Sequence, residues 1–322
     1  MTKAASNDLR SGGSWTRAQS LKNDLILIAI RVALALLVPL TPALLRSLGR
    51  ALGFFAFALL GRVRRLARSN VARAFPGMSA REAGRVARAS FIALGGHLGD
   101  ALAALDPRTP LVPLSVDEEG LALLARARFG ADGAPRGVLF ASAHLGPWER
   151  VAATLVARGV PMTVVARETY DPRLSSIYDR LRAQRGISAI YRGLPGAPTR
   201  MVRTLRTGGV LGVPMDLRSR VPSVETTFLG QPARLPVGPA RIALRVQAAV
   251  VVGTVAPHPS FPGLPGALQI RCREIPTDDL AADDAGEREL TARLASELSD
   301  RIRELPGEWV WMHDRFARNP VD

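Results

Sequence analysis

Between residues 137 and 304, short and almost wholly apolar runs alternate with longer segments of helical composition. That alternation constrains the fold more than any other feature of the chain. GVLFASA (137–143), PMTVVA (161–166), GVLGVPM (209–215) and AAVVVGTV (248–255) lack the polar–apolar alternation of a strand with one wet face. Strands apolar on both sides belong in a parallel sheet covered by helices. Shorter strands are expected at 187–191 and 268–275, and helices at 147–158, 172–185, 197–207, 236–246 and 285–304. The fold class that follows is α/β, with a mostly parallel sheet covered by helices. Upstream, Ser79 and Glu82 form a capping box that opens a helix over 79–105, which Asp106-Pro107 ends.

The N-terminal quarter reads differently. Residues 1–23 are polar and are expected to be a disordered tail. Residues 24–45 (DLILIAIRVALALLVPLTPALL) reach the ~20 residues that a bilayer core requires. Arg31, Pro39 and Pro42 interrupt the run, and no small-x-small cleavage site closes it. A second apolar run, Ala51–Leu60, is too short to span alone. From 25 to 75 there is no acidic residue, whereas Arg46, Arg50, Arg62, Arg64, Arg65, Arg68 and Arg73 bracket or follow the apolar runs. Arginines beside apolar helices suit an anionic leaflet and the positive-inside pattern. The expected organisation is therefore a tail over 1–23, a basic membrane-anchoring helical segment over 24–75, spanning or lying in the membrane plane, and a globular domain over 76–322 on the cytoplasmic side of that membrane.

The formal net charge is +15, and Lys3 and Lys22 are the only lysines. Such a balance attracts nucleic acid, anionic lipid or an acidic protein. The chain has no helix-turn-helix, zinc-finger or aromatic-rich RNA motif, so a nucleic-acid partner is not expected. Cys272 is the single cysteine and rules out an intrachain disulfide or a cysteine-based metal site. No metal and no bound cofactor are expected.

The richest stretch is Ala141-Ser-Ala-His144-Leu-Gly146-Pro-Trp-Glu149, running from a strand into a helix. Gly146 is read as the N-cap and Pro147 as the first helical residue. His144 then lies at the C-terminal end of a strand, where open α/β sheets place their sites. Five residues apart on one helix, His144 and Glu149 would point ~140° apart; the Gly-Pro break lets them meet. Imidazole can take a proton from an alcohol near neutral pH, and a carboxylate on its other nitrogen fixes the tautomer. No G-x-S-x-G or H-E-x-x-H occurs, so a protein nucleophile or metal-bound water is not expected to attack.

Several separate motifs then agree. Arg68-Ser-Asn-Val-Ala-Arg73-Ala-Phe-Pro76, His144 with Glu149, Arg167-Glu-Thr-Tyr-Asp171-Pro172, Met215-Asp216, Phe228-Leu-Gly230, Pro236-Val-Gly238-Pro, and Glu308-Trp-Val-Trp311-Met-His313-Asp-Arg315-Phe316 stand in order over nearly the whole chain. From about residue 24 onward the chain resembles the bacterial lauroyl/myristoyl acyltransferases of lipid A biosynthesis, within the lysophospholipid acyltransferase superfamily. The resemblance implies a glycerol-3-phosphate acyltransferase-like fold. It also implies acyl transfer from acyl carrier protein or coenzyme A thioester to a hydroxyl of a membrane lipid. In that reading His144 is the general base and Glu149 orients it. Arg167 holds an anionic part of the acceptor, Gly146 lies at the substrate, and Asp216 and Arg315 are further substrate-binding candidates. Arg180, Arg182 and Arg185 would form either a dock for the acidic carrier protein or a solvated helix face. Asp216-Leu217-Arg218 and Glu225-Thr-Thr227 depart from the family's usual residues, so a lipid A precursor is the leading acceptor, with a phosphatidylinositol mannoside or another glycolipid or lyso-lipid as the alternative. A non-catalytic lipid-binding relative is the competing class.

Overall fold

The computed structural model describes residues 14–110, 112–218, 221–261 and 267–316. In chain order it contains α1 (Arg17–Leu37), α2 (Pro42–Leu59), α3 (Gly61–Ala74), α4 (Ala80–Ala103), β1 (Ser115–Val116), α5 (Glu118–Ala127), β2 (Val138–Ser142), α6 (Trp148–Ala157), β3 (Met162–Arg167), α7 (Pro172–Gln184), β4 (Ser188–Arg192), α8 (Ala197–Arg206), β5 (Val210–Pro214), β6 (Ser223–Phe228), β7 (Gln231–Pro236), α9 (Gly238–Val246), β8 (Ala249–Pro257), β9 (Leu268–Glu274) and α10 (Asp284–Glu304).

Seven strands form one sheet in the order β1-β9-β8-β2-β5-β3-β4. It is parallel except for β8 against β9. The strands that read as unbroken apolar runs are the central ones: β2 and β8 are buried nearly end to end. The chain leaves β2 toward β3 and β4, returns to β5 beside β2, and then crosses to β8 on β2's other side. Right-handed crossovers place α6 and α7 on one face and α8 and α9 on the other. The contact of α8 with α9, and of α9 with α10, agrees with that layering. Two features lay beyond the sequence reading. One is the short β1–α5 unit at the edge. The other is the β6–β7 hairpin, whose turn uses Leu229 (φ 53°) and Gly230 (φ 77°), the positive-φ pair that a two-residue hairpin requires.

The N-terminal helices differ from the expectation. α1 starts at Arg17, capped by Thr16 and Gln19, so residues 17–23 are helical rather than tail; residues 1–13 lie outside the described residues. The 24–45 run is not one helix. It breaks after Leu37, and Thr41 caps a new helix that merges the end of that run with Ala51–Leu60. Of the helices described, α2 is the one long and apolar enough to cross a membrane. It does not stand alone, because it lies along α4 in glycine contact. A Cβ on Gly49 would fall 2.0 Å from the Gly95 carbonyl oxygen, and one on Gly53 2.1 Å from that of Phe91. Leu44, Leu48, Leu52, Phe55 and Leu59 remain exposed on α2, and Leu21, Leu25, Ile28, Val32 and Leu36 on α1. Steps of three and four residues make each set a stripe on one helix face. Contiguous exposed apolar surface of this kind marks a partner or lipid surface.

Candidate active site

β2 and β5 are neighbours in register, with Ser142 opposite Pro214. Two residues further on, each strand delivers a side chain to the same point. His144 Nδ1 lies 2.8 Å from Asp216 Oδ1, and the His144 backbone N–H donates to Asp216 Oδ2 at 2.9 Å. The Trp309 indole N–H donates to the same Oδ2 at 2.7 Å. Asp216 is fully buried. Burial opposes its charge, but His144 and the N–H donors outweigh burial and hold the carboxyl below its ordinary range. An ionised carboxylate can only accept, so Nδ1 carries the imidazole proton and Nε2 keeps its lone pair. Burial also pushes the His144 imidazole down, yet the Asp216 carboxylate more than offsets it, and the net direction is up. The Trp148 ring stands edge-on to the imidazole at 5.0 Å.

Glu149 does not occupy the position expected for it. Its carboxylate is taken by the Arg182 guanidinium, Nη2–Oε1 2.6 Å and Nε–Oε2 3.3 Å. The reason is local. α6 begins at Trp148, so Glu149 is a first-turn residue facing α7, while β5 brings Asp216 under the imidazole. Glu149 acts on His144 only through its field. Arg182 is likewise not free surface: Glu149 holds its guanidinium above the ordinary value against the pull of burial. Arg185 donates to the Thr109 carbonyl.

Gly146 is not the N-cap, a position held by Pro147. It is a left-handed turn residue (φ 63°), and a Cβ there would lie 2.6 Å from Val255 Cγ2. Its N–H donates to the Glu308 carbonyl at 3.0 Å, and Leu145 bridges Trp309. The C-terminal segment therefore braces the turn that carries His144. Trp309 and Trp311 are buried edge-on to each other at 4.6 Å.

His144 opens on a cleft of about 650 Å³. Its depth is apolar: Phe140, Val151, Met162, Val164, Met201, Leu211 and Ile242 line it. The cleft exists because β3 parts from β5 beyond Val164–Gly212, while β3–β4 pairing runs on to Arg167–Arg192. Those two arginines share the rim as register partners. Burial first, and then the Arg167 charge, lower the Arg192 guanidinium's affinity for its proton. His313 also lines the cleft, its imidazole pushed down by burial and by His144.

Arg315, expected at the substrate, lies outside the cleft lining. It is 3% exposed, donates to the Arg234 carbonyl at 2.9 Å and stacks over Phe228. Burial pushes its guanidinium down to about 10. Asp216, also expected to hold substrate, is sealed beneath His144. Among the described residues no group of three or more His, Cys, Asp and Glu gathers as a metal site.

The chain is thus an α/β protein with a buried carboxylate–imidazole pair at the C-terminal mouth of a mostly parallel sheet, beside an apolar cleft edged by two arginines. The chain belongs to the bacterial lipid A biosynthesis acyltransferase family, whose model matches residues 17–318. Over 182 residues it is 26% identical to phosphatidylinositol mannoside acyltransferases of Mycobacterium tuberculosis, strains CDC 1551 / Oshkosh and ATCC 25618 / H37Rv. That alignment covers 56% of this chain and 54% of each relative, so the chain spans about half the length of the curated relatives it matches.

Proposed function

We propose that the protein is an O-acyltransferase that moves a fatty acyl chain from a thioester carrier to a hydroxyl of a membrane glycolipid. The observation that carries this reading is the His144–Asp216 pair at the mouth of an apolar cleft. His144 Nε2 takes the proton of the acceptor hydroxyl as its oxygen attacks the thioester carbonyl carbon. A tetrahedral oxyanion forms. It collapses with loss of the thiolate, which receives the proton from the imidazolium. Asp216 holds the reactive tautomer and stabilises the imidazolium. Donors for the oxyanion would come from the first turn of α6, where the helix dipole also favours negative charge.

The acyl chain lies in the apolar depth, and Arg167 with Arg192 meets a phosphate of the acceptor at the rim. A planar guanidinium suits phosphate in a forked geometry. The apolar stripes of α1 and α2, with arginines beside them and with α2 packed along α4, favour helices lying in the membrane plane. The cationic flank supports a catalytic domain on the cytoplasmic face of the inner membrane. The donor is acyl carrier protein or coenzyme A.

The family favours a lipid A precursor as acceptor. The mycobacterial relatives, phosphatidylinositol mannoside acyltransferases, favour a second reading in which the acceptor is an inositol mannoside lipid. Lipid mass spectrometry of a deletion strain, complemented with the native chain or with His144→Ala, tests the reading. A lipid one acyl chain short, restored by the native chain only, is expected. An unchanged lipid profile under expression conditions would reject it.

A further inference from the structure

α4 carries two polar side chains, one turn apart, whose partners lie beside the His144 turn. His97 Nε2 lies 2.7 Å from Glu308 Oε2, with both side chains largely shielded. Asp100 accepts from Arg46 Nε of α2 at 2.7 Å, and its other oxygen lies 3.5 Å from Arg150 Nη1 of α6. Their partners flank the catalytic histidine. The Glu308 carbonyl receives the Gly146 N–H, and the next residue, Trp309, bridges Leu145 and donates to Asp216. Arg150 follows Glu149 in the first turn of α6.

The same stretch of α4 is keyed into α2. A Cβ on Gly95 would fall 2.0 Å from the Gly49 carbonyl oxygen, and one on Gly99 2.3 Å from that of Leu45. One side of the 95–100 segment thus touches α2 backbone to backbone, while the other grips the segments on either side of His144. The exposed apolar stripe of α2 flanks that seam, about 100° round the helix at ~3.6 residues per turn. Close-packed helix seams have little slack, so a displacement of α2 moves α4 with it.

We propose that His97 and Asp100 are positioning residues that carry the seating of α2 on a lipid surface to the His144–Asp216 pair. The proposal deepens the acyltransferase reading and rests on it for its catalytic consequence, but the mechanical link can be tested without turnover. On a lipid surface α2 and α4 are held in one position. His97 then fixes Glu308 and Trp309 beneath the catalytic turn, and Asp100 fixes the start of α6. Off the surface the same segments open more often.

Hydrogen exchange by mass spectrometry on the full chain, with and without vesicles of phosphatidylglycerol and phosphatidylethanolamine, reads this directly. In the native chain, vesicles slow exchange in a peptide covering 143–149 by roughly tenfold, as expected for restraint of a local opening. In His97→Ala that response is lost, while vesicles still protect the α2 peptide 42–59. His97→Gln, which keeps an N–H near the Nε2 position, restores the response. The β8 peptide controls for folding. If it also exchanges faster in His97→Ala, Asp100→Asn is compared instead and must lose at least half of the response. A full vesicle response at 143–149 in the folded variants would overturn the proposal, as would the absence of any vesicle response there in the native chain. An active His144→Ala enzyme would sink the catalytic reading and leave the exchange result standing.

Discussion

Asp216→Asn separates the two carboxylates that sequence and structure nominate. The substitution is nearly isosteric. Oδ2 accepts from the His144 backbone N–H and from Trp309, whereas Oδ1 faces His144 Nδ1. The asparagine oxygen therefore takes the Oδ2 position with its two donors, and the NH₂ faces Nδ1. An NH₂ can only donate, so Nδ1 must accept and the imidazole proton moves to Nε2, the nitrogen that must be bare. In a serine protease the equivalent change lowers kcat by about 10⁴-fold through the wrong tautomer. The same magnitude, roughly 5 kcal/mol at ~1.36 kcal/mol per decade, is expected here. Turnover is followed as thiol release from an acyl thioester together with formation of acylated lipid, and thermal melting checks that the variant folds. The pH profile gives a second reading. The base must be neutral, so kcat/KM rises with pH through the His144 pKa, which Asp216 holds above its ordinary value. Without that charge, burial dominates and the residual limb moves to lower pH. Retention of a tenth or more of native activity, or an acid limb that stays in place, would refute the tautomer argument.

Glu149→Gln keeps shape and leaves an amide oxygen to accept from Arg182, so the lost charge of this largely shielded pair should show mainly as a lowered Tm, and a loss under about tenfold in kcat/KM is expected because Glu149 reaches His144 only through its field. A loss as deep as that of Asp216→Asn would restore Glu149 to the imidazole. Gly212→Leu projects into the cleft toward Met162 and Val164, which a Cβ there would meet at 3.2 and 3.5 Å. It should shift preference to shorter acyl donors by about tenfold or more in kcat/KM ratios, since one methylene is worth ~1–3 kcal/mol. Gly49→Val drives a side chain into the Gly95 backbone and should destabilise by about 3 kcal/mol or more, read as a lowered Tm. Leu52→Glu with Phe55→Glu, both on the exposed stripe of α2, should abolish flotation with anionic vesicles while leaving the Tm within a few degrees, because surface changes cost within about 0.5 kcal/mol each.

The sheet was legible because buried parallel strands must be apolar on both faces, and β2, β3, β5 and β8 have that composition. Their bounds fall within a residue or two of the runs read from the sequence. Strand order was not legible, and the missed partner follows from that. A five-residue spacing advertises Glu149, whereas Asp216, 72 residues downstream of His144, reaches the imidazole only because β5 returns to lie beside β2. The clue was present in Met215-Asp216 at the end of an apolar strand, the same place in its strand as His144 in its own. Arg315 misled for a related reason. A cation near a catalytic signature reads as a substrate ligand, but the β6–β7 hairpin, a non-local feature, covers it. Residues 24–45 were read as one membrane-anchoring run, spanning or in the membrane plane, because hydropathy averages over a break. Thr41 and Pro42 restart the helix, and the glycines at 49, 53, 95 and 99 turn α2 onto α4.

The most direct measurement incubates purified native chain, and separately a folded His144→Ala chain, with a radiolabelled acyl thioester and the lipid extract of a host membrane. Label appearing in a glycolipid with the native chain, and at less than about a thousandth of that rate with the variant, is what a general base at the mouth of the sheet predicts. Equal labelling by the two chains would contradict it.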